Sequence, residues 1–190
     1  MIRLATVADA AAIVEIYRPS IEASTVSFEL AVPSLTEMCQ RIESCLEQYP
    51  WIVEEDRNGL RGYAYASRHH PRAAYRWAAN VSVYVERQAQ RQGVAGRLYR
   101  VLFAILEQQE IRKVHAGITV PNPASLQFHK SLGFDLVGVY PAVGYKLGSW
   151  LSVSWWHRAI GAGATSGPTQ PLSFHRIAAD WQGDLTHFAD

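Results

Sequence analysis

Apolar residues follow two patterns along this chain: short runs that alternate or continue unbroken, and longer stretches with apolar positions every three or four residues. The short runs predict β-strands at residues 2–6, 51–55, 60–67, 75–85, 113–119, 134–140 and 151–160. The helical spacings predict helices at residues 9–17, 35–48, 93–109 and 122–132. Pro19 is predicted to end the first helix, because proline removes a backbone donor and clashes with the preceding turn.

Composition changes at Gly161. Residues 161–171 consist mostly of Gly, Ala, Ser, Thr and Pro, which predicts a flexible linker. The segment after it carries Phe174, Ile177, Trp181, Leu185 and Phe188. Such spacing fits a short amphipathic helix docked on the body or on a neighbour, whereas its terminal position favours a poorly ordered tail. We therefore divide the chain into a domain of residues 1–160 and a linker with a tail, residues 161–190.

The composition excludes several classes of protein. With 190 residues, 48% of them hydrophobic, the chain is long enough for one domain with a sizeable core. A formal net charge of +1 provides no electrostatic footprint for nucleic acid or an anionic membrane. No apolar run reaches the roughly 20 residues that span a bilayer, and the first residues lack a signal-peptide pattern. Cys39 and Cys45 face different directions on a predicted helix, so we expect reduced thiols in the cytoplasm.

One stretch combines a strand, a polar turn and a helix. Residues 81–85 predict the strand, and the turn Gln90-x-x-Gly93-x-Ala95 precedes the helix. This order directs free backbone N–H groups and the positive end of a helix dipole to one spot, which suits a phosphate. The dinucleotide fingerprint G-x-G-x-x-G and the P-loop G-K-[ST] are both absent from this stretch. Taken alone, the stretch is either a phosphate-binding turn or a plain strand–helix connection with glycine at a tight position.

Six short motifs follow one another in a fixed order around that stretch. They are Gly62-Tyr63-Ala64-Tyr65-Ala66, Arg72-x-Ala74-Tyr75-x-Trp77, Val83-Tyr84-Val85, Asn122-Pro123-x-Ser125-x-x-x-His129, Leu132-Gly133-Phe134 and Gly144-Tyr145-Lys146-x-Gly148-x-Trp150. The chain thereby resembles the GNAT superfamily of acetyl-CoA-dependent N-acetyltransferases, and within it the phosphinothricin and methionine-sulfoximine N-acetyltransferases, over about residues 2–160. The resemblance implies an α/β (α+β) fold with a mixed central sheet, splayed middle strands and flanking helices. It also implies a homodimer that acts on a small-molecule amine.

The same resemblance assigns the residues around acetyl-CoA. Backbone groups of Val83 and Val85 would hold the pantetheine arm, the N–H groups of residues 91–96 would hold the pyrophosphate, and Asn122 would contact the arm beside the thioester. The implied cofactor-binding residues are Val83, Tyr84, Val85, Arg91, Gln92, Gly93, Val94, Ala95, Gly96, Asn122 and Ser125.

Acetyl transfer to an amine requires a deprotonated amine, a polarised carbonyl and a proton for the departing thiolate. His129 resembles the general acid of the phosphinothricin branch, and the ordinary histidine pKa near 6.5 suits this role. Asn80 stands where related enzymes have a glutamate, and it can orient a water or the amine but cannot accept a proton. Loss of a general base costs about 10²–10⁴ in rate. Three alternatives follow: a slow enzyme for neutral amines, another base such as Glu29 or His69, or a decayed acyl-CoA-binding module.

The resemblance also implies an acceptor pocket. Its expected residues are Phe28, Glu29, Arg72, Tyr75, Trp77 and Tyr145. Arg72 could hold a substrate carboxylate, and Glu29 replaces a family arginine. His69 and His70 lack the partners of a metal site, so we expect no metal. The main interpretation is an acetyl-CoA-dependent N-acetyltransferase for a small amino-acid-like amine. The alternatives are a catalytically impaired acetyl-CoA-binding homologue and a peptide or protein N-acetyltransferase.

Overall fold

A seven-stranded sheet crosses the molecule in the order β1-β2-β3-β4-β5-β7-β6. We describe residues 1–161 and 169–189 of a computed structural model, so most of the linker predicted at residues 161–171 lies outside the described residues. The strands are β1 (Ile2–Leu4), β2 (Trp51–Asp56), β3 (Gly59–Arg68), β4 (Ala78–Val85), β5 (Lys113–Val120), β6 (Asp135–Lys146) and β7 (Ser149–Ala159). Neighbouring strands are antiparallel except for β4 and β5, which run parallel.

Helices cover both faces of this sheet. They are α1 (Ala10–Glu22), α2 (Leu35–Gln48), α3 (Val94–Gln108), α4 (Pro123–Ser131) and the short α5 (Phe174–Ile177). The prediction that Pro19 ends the first helix is wrong. Ile21 is buried beyond the proline, and the chain leaves the helix only at Ala23, whose N–H donates to the Pro19 carbonyl at 3.2 Å. Burial of that last apolar turn thus outweighs the donor that proline removes.

Two strand predictions need correction. The strand predicted at residues 75–85 begins later, because Ala73–Tyr75 forms a 3₁₀ turn before β4. The last two strands extend into what was predicted as a loop, and their pairing continues to Lys146 and Ser149. Two register shifts in β6 break the alternation that a sequence pattern relies on. The hairpin turns at Leu147 and Gly148, which have φ values of 49° and 78°.

The core has one layer on each face of the sheet. Helix α3 packs on one face with the C-terminal segment, and α1 and α2 pack on the other. Phe174, Ile177, Trp181 and Leu185 are buried against the α3 layer. The Leu185 N–H also donates to the Ile2 carbonyl at 2.7 Å, beside the edge strand β1. The prediction of a poorly ordered tail is therefore wrong for residues 169–189. These residues dock on the body, as in the alternative prediction.

The thiols and the helices bear on the class of protein. Cys39 and Cys45 are free. The Cys45 thiol donates to the Ala66 carbonyl at 3.2 Å, and its burial raises its pKa to about 12. Among the described residues, no helix combines the length and the apolar character needed to cross a membrane.

Candidate active site

A cleft opens in the middle of the sheet because its two parallel strands separate. β4 and β5 pair only from Ala78 with Lys113 to Asn80 with His115. Beyond that point residues 81–85 and 116–119 line the two sides of a cleft of about 240 Å³. The Glu86 N–H donates to the Arg61 carbonyl at 2.9 Å, so every second residue of β4, counted back from Glu86, directs its backbone groups to β3. The backbone groups of Val83 and Val85 therefore face the cleft, where an extended ligand arm can pair with them as an added strand does.

Helix α3 begins at one end of this cleft. Gly93 precedes the helix with a φ of 78°, a conformation that favours glycine. The backbone N–H groups of Val94, Ala95 and Gly96 have no hydrogen-bond partner within the described residues. A Cβ added to Gly96 would come no closer than 3.7 Å to its nearest neighbour, the Arg100 guanidinium. Open space, free N–H groups and the positive end of a 15-residue helix together suit a phosphate.

A buried ion pair supports the turn before α3. The Glu54 carboxylate accepts hydrogen bonds from Arg97 at 2.6 Å and from Arg61 at 3.1 Å. The Arg97 guanidinium also donates to the Gln92 carbonyl at 3.0 Å. Arg97 is thereby committed to the fold, whereas Arg91 is exposed and has no ion-pair partner among the described residues.

Helix α4 contributes a polar row to the same cleft. The Asn122 side chain caps the helix by accepting from the Ser125 N–H at 3.1 Å. His129 is only 4% exposed; its Nδ1 lies 2.8 Å from the Ser125 carbonyl and its Nε2 lies 3.3 Å from the Tyr99 hydroxyl. We therefore assign the proton to Nδ1, with Tyr99 donating to Nε2. Burial lowers the pKa of His129 below its ordinary value, so the ring is neutral at pH 7.

The other face of the cleft is closed by the loop between α1 and α2. Val26 from this loop lines the cleft. The Phe28 ring packs so closely on β6 that a Cβ added to Gly144 would lie 2.2 Å from it. Tyr145 is on the exposed β6–β7 hairpin, with its ring 5.4 Å from that of Trp150. Phe28 thus lies on the side of the sheet opposite α3, whereas Tyr145, the residue after Gly144 in β6, points to the other face.

Glu29 belongs to this loop, and its carboxylate is already engaged in hydrogen bonds. It accepts hydrogen bonds from Arg41 at 2.7 and 3.1 Å and from the Tyr17 hydroxyl at 3.0 Å. Arg41 and Tyr17 thus hold the Glu29 carboxylate within the fold.

Three expected acceptor residues lie outside the cleft. The Trp77 indole N–H donates to the Thr169 carbonyl at 2.7 Å, so this ring covers the C-terminal segment. Arg72 lines a separate groove with residues 170–173. Tyr75 is exposed, and its ring lies 4.4 Å from that of His70. The docked C-terminal segment is not part of the six motifs. Its contacts explain why Arg72 and Trp77 lie outside the cleft.

Asn80 stands where β4 and β5 separate, and its Oδ1 lies 2.8 Å from the Nδ1 of His69. His115 is its register partner, and the His69 and His115 rings are 4.0 Å apart. Sequence reasoning missed His115, His157 and Tyr99; the register of the predicted strands was the one signal able to place the two histidines. Among the described residues no group of three or more His, Cys, Asp or Glu is suited to a metal ion.

This fold and cleft define an acetyltransferase of the GNAT class. The family described as acetyltransferase (GNAT) domain matches residues 2–155, and the chain belongs to this family. Over 172 residues it is 37% identical to the phosphinothricin N-acetyltransferase of Streptomyces viridochromogenes, covering 90% of this chain and 94% of that protein. Over 154 residues it is 30% identical to the L-methionine sulfoximine/L-methionine sulfone acetyltransferase of Salmonella typhimurium, covering 80% and 90% of the two chains.

A solved structure agrees. The phosphinothricin acetyltransferase of Sinorhizobium meliloti, crystallised with acetyl-CoA, superposes with a TM-score of 0.84 at 34% identity, covering 89% of this chain and 92% of that one. The predicted family, fold, acyltransferase activity and acyl donor acetyl-CoA are confirmed. The ribosomal-protein-alanine N-acetyltransferase of Brucella melitensis also superposes, with a TM-score of 0.81 at 28% identity over 84% of this chain and 99% of that one.

Proposed function

We propose that this protein transfers the acetyl group of acetyl-CoA to the amine of a small amino-acid-like substrate of the phosphinothricin or methionine sulfoximine type. The observation that carries the proposal is the cleft between β4 and β5, which is open to α3 and α4 on one face and to the α1–α2 loop on the other. The names of the relatives at 37% and 30% identity support the substrate class.

The chain's own residues divide the work between the two faces. When bound, acetyl-CoA supplies an activated thioester. The first turn of α3 binds its phosphates, and the backbone of Val83 and Val85 holds and orients the arm. Asn122 lies at the base of α4, where its side-chain amide is available to the arm. On this face His129 and Tyr99 form a hydrogen-bonded pair that can pass a proton to the leaving sulfur.

The amine approaches from the opposite face. Val26 lines the cleft there, and Phe28 of the same loop packs on β6. Asn80 has no basicity, so we assign it an orienting role. Since no carboxylate lines the cleft among the described residues, an acetyl-CoA-binding protein without turnover is the second candidate.

We further propose a homodimer built on the exposed hairpin of β6 and β7. Val137, Tyr140, Leu147 and Trp150 are between 57% and 68% exposed on this hairpin, and β6 is an edge strand. Exposed apolar residues along an edge mark an interaction surface. Light scattering on the wild type and on a Val137→Lys variant tests this, with a dimer expected only for the wild type. We place the protein in the cytoplasm, where its two free thiols stay reduced.

The function is tested by measuring thiol release from acetyl-CoA with a panel of acceptors at pH 6 to 10. The panel contains phosphinothricin, methionine sulfoximine, free amino acids and a peptide with an alanine N-terminus. Turnover with a small amino-acid-like acceptor is expected. Micromolar binding of acetyl-CoA without turnover would support the impaired homologue, and turnover of the peptide alone would support a peptide acetyltransferase.

A further inference from the structure

A row of polar side chains crosses the sheet at the point where the cleft begins. Ser67 pairs with Asn80, Asn80 with His115, and His115 with His157, across β3, β4, β5 and β7. Directly paired residues point to the same face of a sheet. Ala79 and Val81, the neighbours of Asn80, belong to the layer under α3, so this row lies on the opposite face. That is the face from which the acceptor amine is proposed to arrive.

His69 lies over this row immediately after β3. Its Nδ1 is 2.8 Å from the Asn80 Oδ1, and its ring is 4.0 Å from that of His115. The rings of His115 and His157 are 6.2 Å apart. The Nδ1 atoms of His115 and His157 are buried and have no hydrogen-bond partner among the described residues. A buried ring nitrogen without a partner costs about 1–3 kcal/mol, so hydrogen bonds of these two rings do not stabilise the fold.

Hydrogen bonding fixes the form of the His69 ring. The Asn80 Nδ2 donates to the Arg68 carbonyl at 3.4 Å, which turns the Asn80 Oδ1 towards His69. An amide oxygen is only an acceptor, so the His69 Nδ1 carries the proton and donates. The lone pair is then on Nε2, which has no hydrogen-bond partner among the described residues. Asn80 thus prepares a neighbouring base although it is not a base itself.

We propose that His69 is the general base of the acetyl transfer, with Asn80 as the residue that positions it. The inference rests on the proposed function. The amine nitrogen forms a bond to the acetyl carbon while the carbon–sulfur bond breaks and its electron pair goes to sulfur. The N–H proton goes to the His69 Nε2, and the thiolate takes up one proton. The amine and acetyl-CoA become an amide and free CoA.

The groups around His69 are aromatic rings and one amide. His69 faces Asn80, His115, the Tyr75 phenol and the Trp155 ring. Burial, together with the neighbouring His69 and His157, lowers the pKa of His115 to about 4; the Lys113 ammonium acts in the same direction. His115 is therefore neutral at pH 7 and adds no charge beside His69. Asp135, the register partner of His157 on the edge strand β6, stands at the outer end of the row.

The test compares His69→Gln with His70→Gln. His70 is the adjacent residue, and its Nδ1 only accepts from the Arg72 N–H at 3.1 Å. We expect His69→Gln to lower kcat/KM by about 10²–10⁴ at pH 7, to abolish the acidic limb of the pH profile and to leave the Kd for acetyl-CoA unchanged. His70→Gln should stay within threefold of the wild type. An unchanged rate and pH profile in folded His69→Gln would overturn the proposal.

A second background tests the role of His69 as base. In an Asn80→Glu background a carboxylate stands at the start of the cleft, so loss of His69 should cost less than tenfold. An equal loss in both backgrounds would contradict the role of His69 as base.

One measurement separates this inference from the proposed function. ¹⁵N NMR of the wild type reports the tautomer of His69 without any acceptor. We expect the form protonated at Nδ1, and the form protonated at Nε2 would overturn the inference even in an active enzyme. A wild type that acetylates no amine would defeat the proposed function instead, whatever the tautomer.

Discussion

The Lys146 ammonium donates a hydrogen bond to the Ser27 carbonyl at 2.7 Å and joins strand β6 to the loop between α1 and α2. Lys146 is 5% exposed, and its second contact is the Ser20 carbonyl at 3.4 Å. This link holds the loop that carries Val26, which lines the cleft, and Phe28, which packs on β6. The ammonium therefore shapes the side of the cleft from which the acceptor is proposed to arrive.

Lys146→Met should raise the KM for the acceptor about tenfold. A buried charged hydrogen bond is worth about 1.5–3 kcal/mol, and its loss frees the loop from β6. The Kd for acetyl-CoA should stay within twofold, because the phosphate turn is on another element. Steady-state kinetics with both substrates varied checks this prediction. The control is Lys130→Met, at an exposed residue of α4. An equal change in the KM for the acceptor and in the Kd for acetyl-CoA would show that the variant does not act through the loop.

Gly96→Glu should weaken acetyl-CoA binding at least tenfold, or about 1.4 kcal/mol. The new carboxylate would enter the open space at the start of α3 and compete with phosphate for the free N–H groups. The melting temperature should hardly change, since a Cβ there meets nothing closer than 3.7 Å. Calorimetric titration measures the Kd. The control is Gln40→Glu, at an exposed residue of α2. Unchanged affinity would place the phosphates elsewhere.

Glu29→Gln should leave kcat within threefold. The Glu29 carboxylate is held by Arg41 and the Tyr17 hydroxyl, and a half-exposed ion pair contributes about 0–1 kcal/mol to stability. Initial rates at saturating substrate across the pH range check this. A loss of a hundredfold or more, with the acidic limb abolished, would make Glu29 the base and contradict the role given to His69.

Leu185→Ala should reduce the free energy of unfolding by about 2–4 kcal/mol, because the side chain is 1% exposed in the layer under α3. The matched control is Leu30→Ala at a residue 78% exposed, with an expected change below about 0.5 kcal/mol. Urea unfolding of both variants gives the comparison. Similar small changes in both would mean that the C-terminal segment does not stabilise the domain.

His115→Gln should make the protein less sensitive to acid. The folded pKa of His115 is about 4, below the ordinary value near 6.5, so the unfolded chain binds the extra proton first. Stability is therefore full above about pH 6.5 and falls as the pH drops towards 4. For this half-buried ring, the wild type should lose about 1–2 kcal/mol more than the variant between pH 7 and pH 4.5. Parallel pH curves would contradict this.

The residues predicted for acetyl-CoA lie close together in the structure, because backbone and helix ends form this side of the cleft. Val83, Gly93, Ala95, Asn122 and His129 surround one cleft or its mouth, and each belongs to a local pattern that survives in a single sequence. The acceptor side was harder to predict, since it depends on contacts between distant segments. The link from Lys146 to Ser27 and the pairing of Asn80 with His115 arise only when the sheet is assembled.

Contacts between distant segments also explain why Trp77 and Arg72 lie outside the cleft. Trp77 and Arg72 belong to a family motif, yet here they face residues 169–173, a segment outside the six motifs. The burial of Trp181 and Leu185 likewise depends on α3 and β1, to which no local pattern points. The predicted end of the first helix was wrong because tertiary burial outweighed local propensity beyond Pro19.

The central claim is tested most directly by following a labelled acetyl group from its donor to its acceptor. Wild type and Gly96→Glu are each incubated with ¹³C-acetyl-CoA, phosphinothricin and methionine sulfoximine, and the acceptors are analysed by mass spectrometry. We predict that the wild type adds one labelled acetyl group to the amine of at least one acceptor and that Gly96→Glu does so far more slowly. Binding of acetyl-CoA by the wild type without any labelled acceptor across pH 6 to 10 would contradict the account.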